Sequence, residues 1–244
     1  MKTLALCVLL LQAVLSAAPA AKATAVTPAV TPLPAPMQVV FVLTAMTLLP
    51  AVIVSVTPFL RITIVLHFLR QALGTQSAPS NQVLLGMALF FTLVIMKPVV
   101  SQAYESGWAP HERGEIGLQD AMLRGTEPLK SFLLKYCREK DLQLFLEFSR
   151  SSAPAKPEDL GIEIVAPAYI LSELRAGFQI GAVLFFPFLI IDLIVASVTL
   201  SVGMVQLPPV MISAPFKILL FVLADGWNLV IGSLLRSFHS GGVG

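Results

Sequence analysis

The chain has 244 residues, 56% of them apolar and only 12% charged, with a mean hydropathy of +0.84 and a net charge of +2. Soluble domains carry about 25% charged residues, so this is a membrane-class composition. Two cysteines, Cys7 and Cys137, exclude a disulfide framework and a four-cysteine zinc site. His67, His111 and His239 form no metal-spaced pair, and there is no basic arm for a phosphate backbone. Neither a metal, another cofactor nor a nucleic acid is expected.

In chain order, residues 1–23 combine Lys2, an apolar run over 4–15 and small residues around Ala18-Pro19-Ala20. That is the pattern of a secretory signal peptide, with an apolar core too short to span a bilayer. Residues 24–37 form a Pro/Ala/Thr linker, with Pro28, Pro32, Pro34 and Pro36 favouring extended conformations. Four apolar segments follow, near 38–60, 83–100, 178–204 and 210–235. Each approaches the roughly 20 residues that a helix needs to cross hydrocarbon. All four are interrupted: by Pro50 and Pro58, by Lys97-Pro98, by Pro187 and Asp192, and by Pro215, Lys217 and Asp225. Prolines kink helices, and charges at such depth face protein or water. The expected fold is all-α, with two pairs of long kinked apolar helices over 38–100 and 178–244 and a polar helical block over 101–177 between them.

The charges are unevenly spread. Residues 104–175 hold twelve of the fourteen acids and nine of the sixteen Lys/Arg. Arg61 and Arg70 follow the first apolar segment with no acid near them, and Lys217 stands near the connector between the third and fourth. The positive-inside rule then puts Arg61 and Arg70 on the cytoplasmic side and the polar block outside, in agreement with a cleaved signal peptide and four crossings. Within the block, helical spacing predicts helices over 115–123 and 128–148, the second carrying Leu129, Phe132, Leu133, Tyr136, Leu142, Phe145 and Leu146 on its apolar face. Cys137 is expected as a buried or half-buried small apolar residue rather than a reactive thiol. No internal repeat is present. There is also no GxSxG, HExxH or Walker-type phosphate loop, and Gly74-Thr75-Gln76 is a single-glycine turn, so catalysis is not expected.

Three stretches are more specific. The first is Thr57-Pro58-Phe59-Leu60-Arg61-Ile62 leading into Leu69-Arg70-Gln71-Ala72-Leu73-Gly74-Thr75-Gln76-Ser77-Ala78-Pro79-Ser80-Asn81-Gln82. The second is Pro167-Ala168-Tyr169-Ile170-Leu171-Ser172-Glu173-Leu174, with Gly177-Phe178-Gln179-Ile180-Gly181 and Pro187-Phe188-Leu189-Ile190-Ile191-Asp192. The third is Leu207-Pro208-Pro209, Pro215-Phe216-Lys217 and Ala224-Asp225-Gly226-Trp227. Together they resemble the FliP family, core components of the flagellar type III protein-export gate.

The resemblance implies a non-enzymatic, all-α subunit of a homo-pentamer in the bacterial inner membrane at the flagellar basal body. FliR-like and FliQ-like membrane subunits would complete a pore for unfolded rod, hook and filament proteins. The family's methionine-rich loop is reduced here to Gly203-Met204-Val205-Gln206, so Met204, Val205 and Gln206 become the expected pore constriction at a hairpin tip. Injectisome gate subunits share much of the pattern. A small-solute or ion transporter built on four kinked helices is the alternative from another class. Four charged groups at the apolar segments complete the candidate sites. Asp192 and Asp225 are expected as buried acids held by hydrogen bonds or ion pairs, and Glu173 and Lys217 as partners in one ion pair.

Overall fold

The computed structural model describes residues 34–75, 78–149, 157–203 and 208–239. The predicted signal peptide, most of the linker, and Met204, Val205 and Gln206 lie outside the described residues. Every regular element among those described is a helix, as the sequence predicts. The chain divides into two units, Met1–Ala45 and Met46–Gly244. Helix α1 (Ala35–Ser55) begins in the first unit and is apolar on every face, with Pro50 inside it. All further elements belong to the second.

The first apolar segment is interrupted sooner than its composition suggests. Pro58 has no N–H to donate, and it stands at the N-cap of a new helix, α2 (Phe59–Ala72). This helix buries a stripe formed by Arg61, Ile62, Val65, Leu66, Leu69 and Ala72. Gly74, with φ +72°, then turns the chain where a side chain would be strained. Helix α3 (Asn81–Ala103) continues through a π turn at Tyr104–Trp108 into a last helical turn, Ala109–Glu112. The π turn brings Tyr104 Oη and Trp108 Nε1 to the two oxygens of Glu112, which accept at 3.0 and 2.9 Å.

The polar block folds as α4 (Leu118–Tyr136) and α5 (Glu139–Ser149). The sequence predicts a helix starting at 128, but Pro128 lies inside α4 and the break falls at Cys137 instead. A mid-helix proline orphans the carbonyl four residues earlier. Here that is Arg124, and Ser106 Oγ donates to it at 3.1 Å. Helix α6 (Ile162–Ser201) runs for 40 residues, about 60 Å, through Pro167 and Pro187. It starts well before the predicted segment at 178, so residues 162–177 belong to a long apolar helix rather than to the polar block. Helices α7 (Pro209–Leu223) and α8 (Gly226–His239) meet at 66°.

One main core joins apolar helices and polar block: Ile62, Val65 and Leu66 of α2, Leu84 and Ala88 of α3, Leu133 and Tyr136 of α4, Tyr169 of α6, and Leu234 and Phe238 of α8. A smaller cluster gathers Leu69, Ala72, Leu73, Phe188 and Phe221. Helices α2 and α6 approach closely because α6 presents Gly177 and Gly181, where a Cβ would stand 3.1 Å from Ile64 and 2.6 Å from Phe68.

Candidate functional site: two layers of paired charge

Arg61 and Glu173 form the upper layer. Arg61 sits in the first turn of α2 on its buried stripe, and Glu173 lies on the α6 face shared with Tyr169 and Gly177; they are 2% and 0% exposed. Arg61 Nε donates to Glu173 Oε2 at 2.9 Å, and Nη2 closes a fork on Oε1. Its remaining nitrogen donates to Ser237 Oγ at 3.2 Å, and the guanidinium lies 4.2 Å from the Phe238 ring centroid. Tyr136 Oη donates to the Phe238 carbonyl. One cation thus fastens α2 to α6 and to the end of α8, the planar bidentate task for which arginine is suited.

The lower layer is Lys217 of α7 with Asp192 of α6. Lys217 Nζ donates to Asp192 Oδ2 at 2.6 Å and Ser213 Oγ to Oδ1 at 2.5 Å; Lys217 is 2% exposed and Asp192 27%. Nineteen residues of α6, about 28 Å, separate Glu173 from Asp192.

These positions correct three expectations. Glu173 and Lys217 do not pair with each other: they lie in different layers, and each meets the opposite charge at its own depth. Arg61 is not a loop-side basic residue but a core residue neutralised by Glu173, so its charge cannot be counted toward orientation. Asp225 is exposed rather than buried, and stands at the elbow between α7 and α8. Asp192 is half-buried rather than buried, and an ion pair and a hydroxyl hold it. Arg70 remains at the loop end of α2, donating to Asn81 Oδ1 at 2.5 Å and to the Pro79 carbonyl at 3.5 Å.

Beside Glu173, Ser172 Oγ donates to Asp141 Oδ2 at 2.8 Å and accepts the Arg138 N–H at 3.0 Å. This clasp locks the α4–α5 turn onto α6. Sequence reasoning missed it, because neither Ser172 nor Asp141 is unusual until the two helices meet. Cys137 lies in the same turn, half-buried as expected. Burial pushes its thiol up to about 11 and the Asp141 charge adds to this, while the hydrogen bond with Ser172 works against them. The thiolate is the reactive species, so alkylation of Cys137 near neutral pH is expected to run roughly a hundredfold slower than for a free thiol. Maleimide labelling of the folded and denatured chain at pH 7.5 measures this; equal rates would contradict it.

Among the described residues, three helices are long and apolar enough to cross a membrane, and a fourth crossing is available if the bent α7–α8 pair counts as one. Long apolar helices tied by buried ion pairs, with a polar helical face attached, define a membrane-class helical protein. The chain belongs to the FliP family, whose family model matches residues 42–234. It is 47% identical over 204 residues to the flagellar biosynthetic protein FliP of Pectobacterium carotovorum subsp. carotovorum, covering 84% of this chain and 79% of that one. Identity is also 47% over 202 residues to the Bacillus subtilis (strain 168) protein of the same name, covering 83% and 91%. To that of Caulobacter vibrioides it is 42% over 208 residues, covering 85% and 78%.

Proposed function

We propose that this chain is a non-enzymatic, pore-forming subunit of the flagellar type III export gate. Copies of it assemble as a pentamer with FliR-like and FliQ-like subunits in the bacterial inner membrane, and unfolded flagellar proteins pass through the assembly. Family membership over residues 42–234 is the observation that carries this reading. The surface supports it: Val83, Leu89, Phe90, Leu93 and Val94 of α3 and Val183, Phe186, Leu193, Ile194 and Val198 of α6 are all exposed. Helix faces with that many exposed large apolar side chains need lipid or other subunits to cover them.

The constriction is assigned to Met204, Val205 and Gln206. Gly203, with φ +81°, turns the chain out of α6, and Pro208 in an extended conformation leads into α7, so the residues between them bridge two helix ends. A flexible thioether deforms around varied passing side chains, and an apolar ring resists wetting. Deleting Met204, Val205 and Gln206 is therefore expected to leave assembly intact and make cells leak small ions. Ion permeability at the wild-type level, in a complex shown to be whole, would remove this loop from the role.

A further inference from the structure

A cavity of about 410 Å³ lies between the end of α3, the second half of α4 and the end of α8. Small-ligand sites span roughly 300–1,000 Å³, so it has room for one ligand. Ile95, Val99, Phe132 and Phe238 give it apolar walls, and the hydrogen bond from Tyr136 Oη to the Phe238 carbonyl fixes α4 to α8 beside it. Gln102, Ser131 and Lys135 also line it, and all three are exposed. None of these three side chains has a hydrogen-bond or ion-pair partner among the described residues. Lys135 Nζ stands 5.4 Å from the centroid of the Tyr136 ring and meets no acid. Glu127 and Glu158 line an adjoining cavity together with Arg124 and Lys130, and neither acid lies within ion-pair distance of Lys135. The apolar wall also runs on past the cavity. Val94 belongs to it, and Val94, Phe90 and Val83 recur on one side of α3 at helical spacing, all exposed. At 1.5 Å per residue this track is about 16 Å long.

We propose that this cavity binds one anionic phospholipid, with its phosphate against Lys135, Gln102 and Ser131 and an acyl chain along the α3 track. The site lies within one chain and does not rest on the export-gate reading. Its polar side offers a cation, an amide and a hydroxyl but no carboxylate, which suits the acceptor oxygens of a phosphate. Basic pockets between apolar helices hold anionic head groups by the same chemistry. A free anion would use the polar side and leave the track bare. An apolar helix laid on the track would take water from three polar groups and return no partner to them. A phospholipid joins an anion to a chain long enough to cover the track, so one molecule meets both requirements.

The test uses the full chain, purified in a non-ionic detergent, with phosphatidylglycerol and phosphatidylcholine as probes and native mass spectrometry to count the lipid retained. One phosphatidylglycerol per chain is expected, held several-fold more tightly than phosphatidylcholine, whose head group adds a cation of its own. Lys135→Gln should weaken phosphatidylglycerol about tenfold, the effect of losing one charge-assisted contact, while Lys135→Arg should keep it. Val94→Glu changes an exposed residue of the track and should weaken phosphatidylglycerol too, although it leaves Lys135 in place. Inorganic phosphate at the same concentration should not displace the lipid. Equal retention of the two lipids, unchanged affinity in both Lys135→Gln and Val94→Glu, or displacement by inorganic phosphate would overturn the inference, the last by showing a site for a free anion. A zero-length carbodiimide crosslink from Lys135 to a carboxylate of another subunit in the whole assembly would put protein there instead and overturn it as well.

Discussion

Replacing Glu173 by alanine is expected to destabilise the fold by about 3–5 kcal/mol, because Arg61 would keep its charge in a core with no acid to neutralise it. Arg61→Ala should cost a similar amount for the converse reason. Denaturant unfolding of the detergent-solubilised chain measures both. Replacing the pair together, Arg61→Met with Glu173→Met, removes both desolvation penalties, and such replacements are often neutral. The double variant should therefore recover most of the loss. A Glu173→Ala midpoint equal to wild type would show that the pair does not hold α2 on α6. Asp192→Asn should be milder, since Asp192 is only half-buried, at 27% exposed, and asparagine can still accept from Lys217 and Ser213.

Gly181→Val is the second large effect. A Cβ at 181 would stand 2.6 Å from Phe68 Cγ and Cδ2 and 3.0 Å from its Cβ, so the clash is with the base of the ring rather than with a flexible tip. Overpacking of that kind costs typically 1–3 kcal/mol, and a branched side chain belongs at about the upper figure. The helix-propensity advantage of valine over glycine, a few tenths of a kcal/mol, does not offset it. Phe68→Ala in the same chain should relieve the clash and recover part of the loss. Gly86 on α3 provides the contrast, since nothing lies within 4 Å of a Cβ there. Gly86→Ala should hold or raise stability by up to about 1 kcal/mol. If Gly181→Val and Gly86→Ala behaved alike, the α2–α6 approach would not be close.

The long apolar helices are legible in the sequence because length and hydropathy suffice to mark them, whereas Pro50, Pro98, Pro187 and Pro215 lie inside continuous helices and the 66° bend falls between α7 and α8, where no proline stands. What failed was the reading of charge. Pro58 and Arg61 together look like the end of a crossing, and a loop arginine is ordinarily counted toward orientation. The contrary signal was present: Arg61 shares a helical face with Val65, Leu69 and Ala72, which makes it a buried residue of a second helix. Glu173 likewise falls among Tyr169, Ala176 and Gly177, the small and buried face of α6. Helical spacing places each of these charges on an apolar face but does not tell which cation meets which acid, because that depends on the depth at which separate helices come together. The Pro128 error has the same origin. A proline ends a helix unless something satisfies the orphaned carbonyl, and Ser106 arrives from another element to do so. The tip of the α6–α7 hairpin is expected from Gly203 and the two prolines, and its role rests on the assembly.

The measurement that bears most directly on the central claim is imaging of the complex purified in detergent from cells expressing the full chain with its neighbouring membrane subunits. The account predicts a particle with five copies of this chain around one axis, with Met204, Val205 and Gln206 from each copy meeting at its narrowest point. A monomer or dimer with a closed solute cavity between its own helices would contradict it.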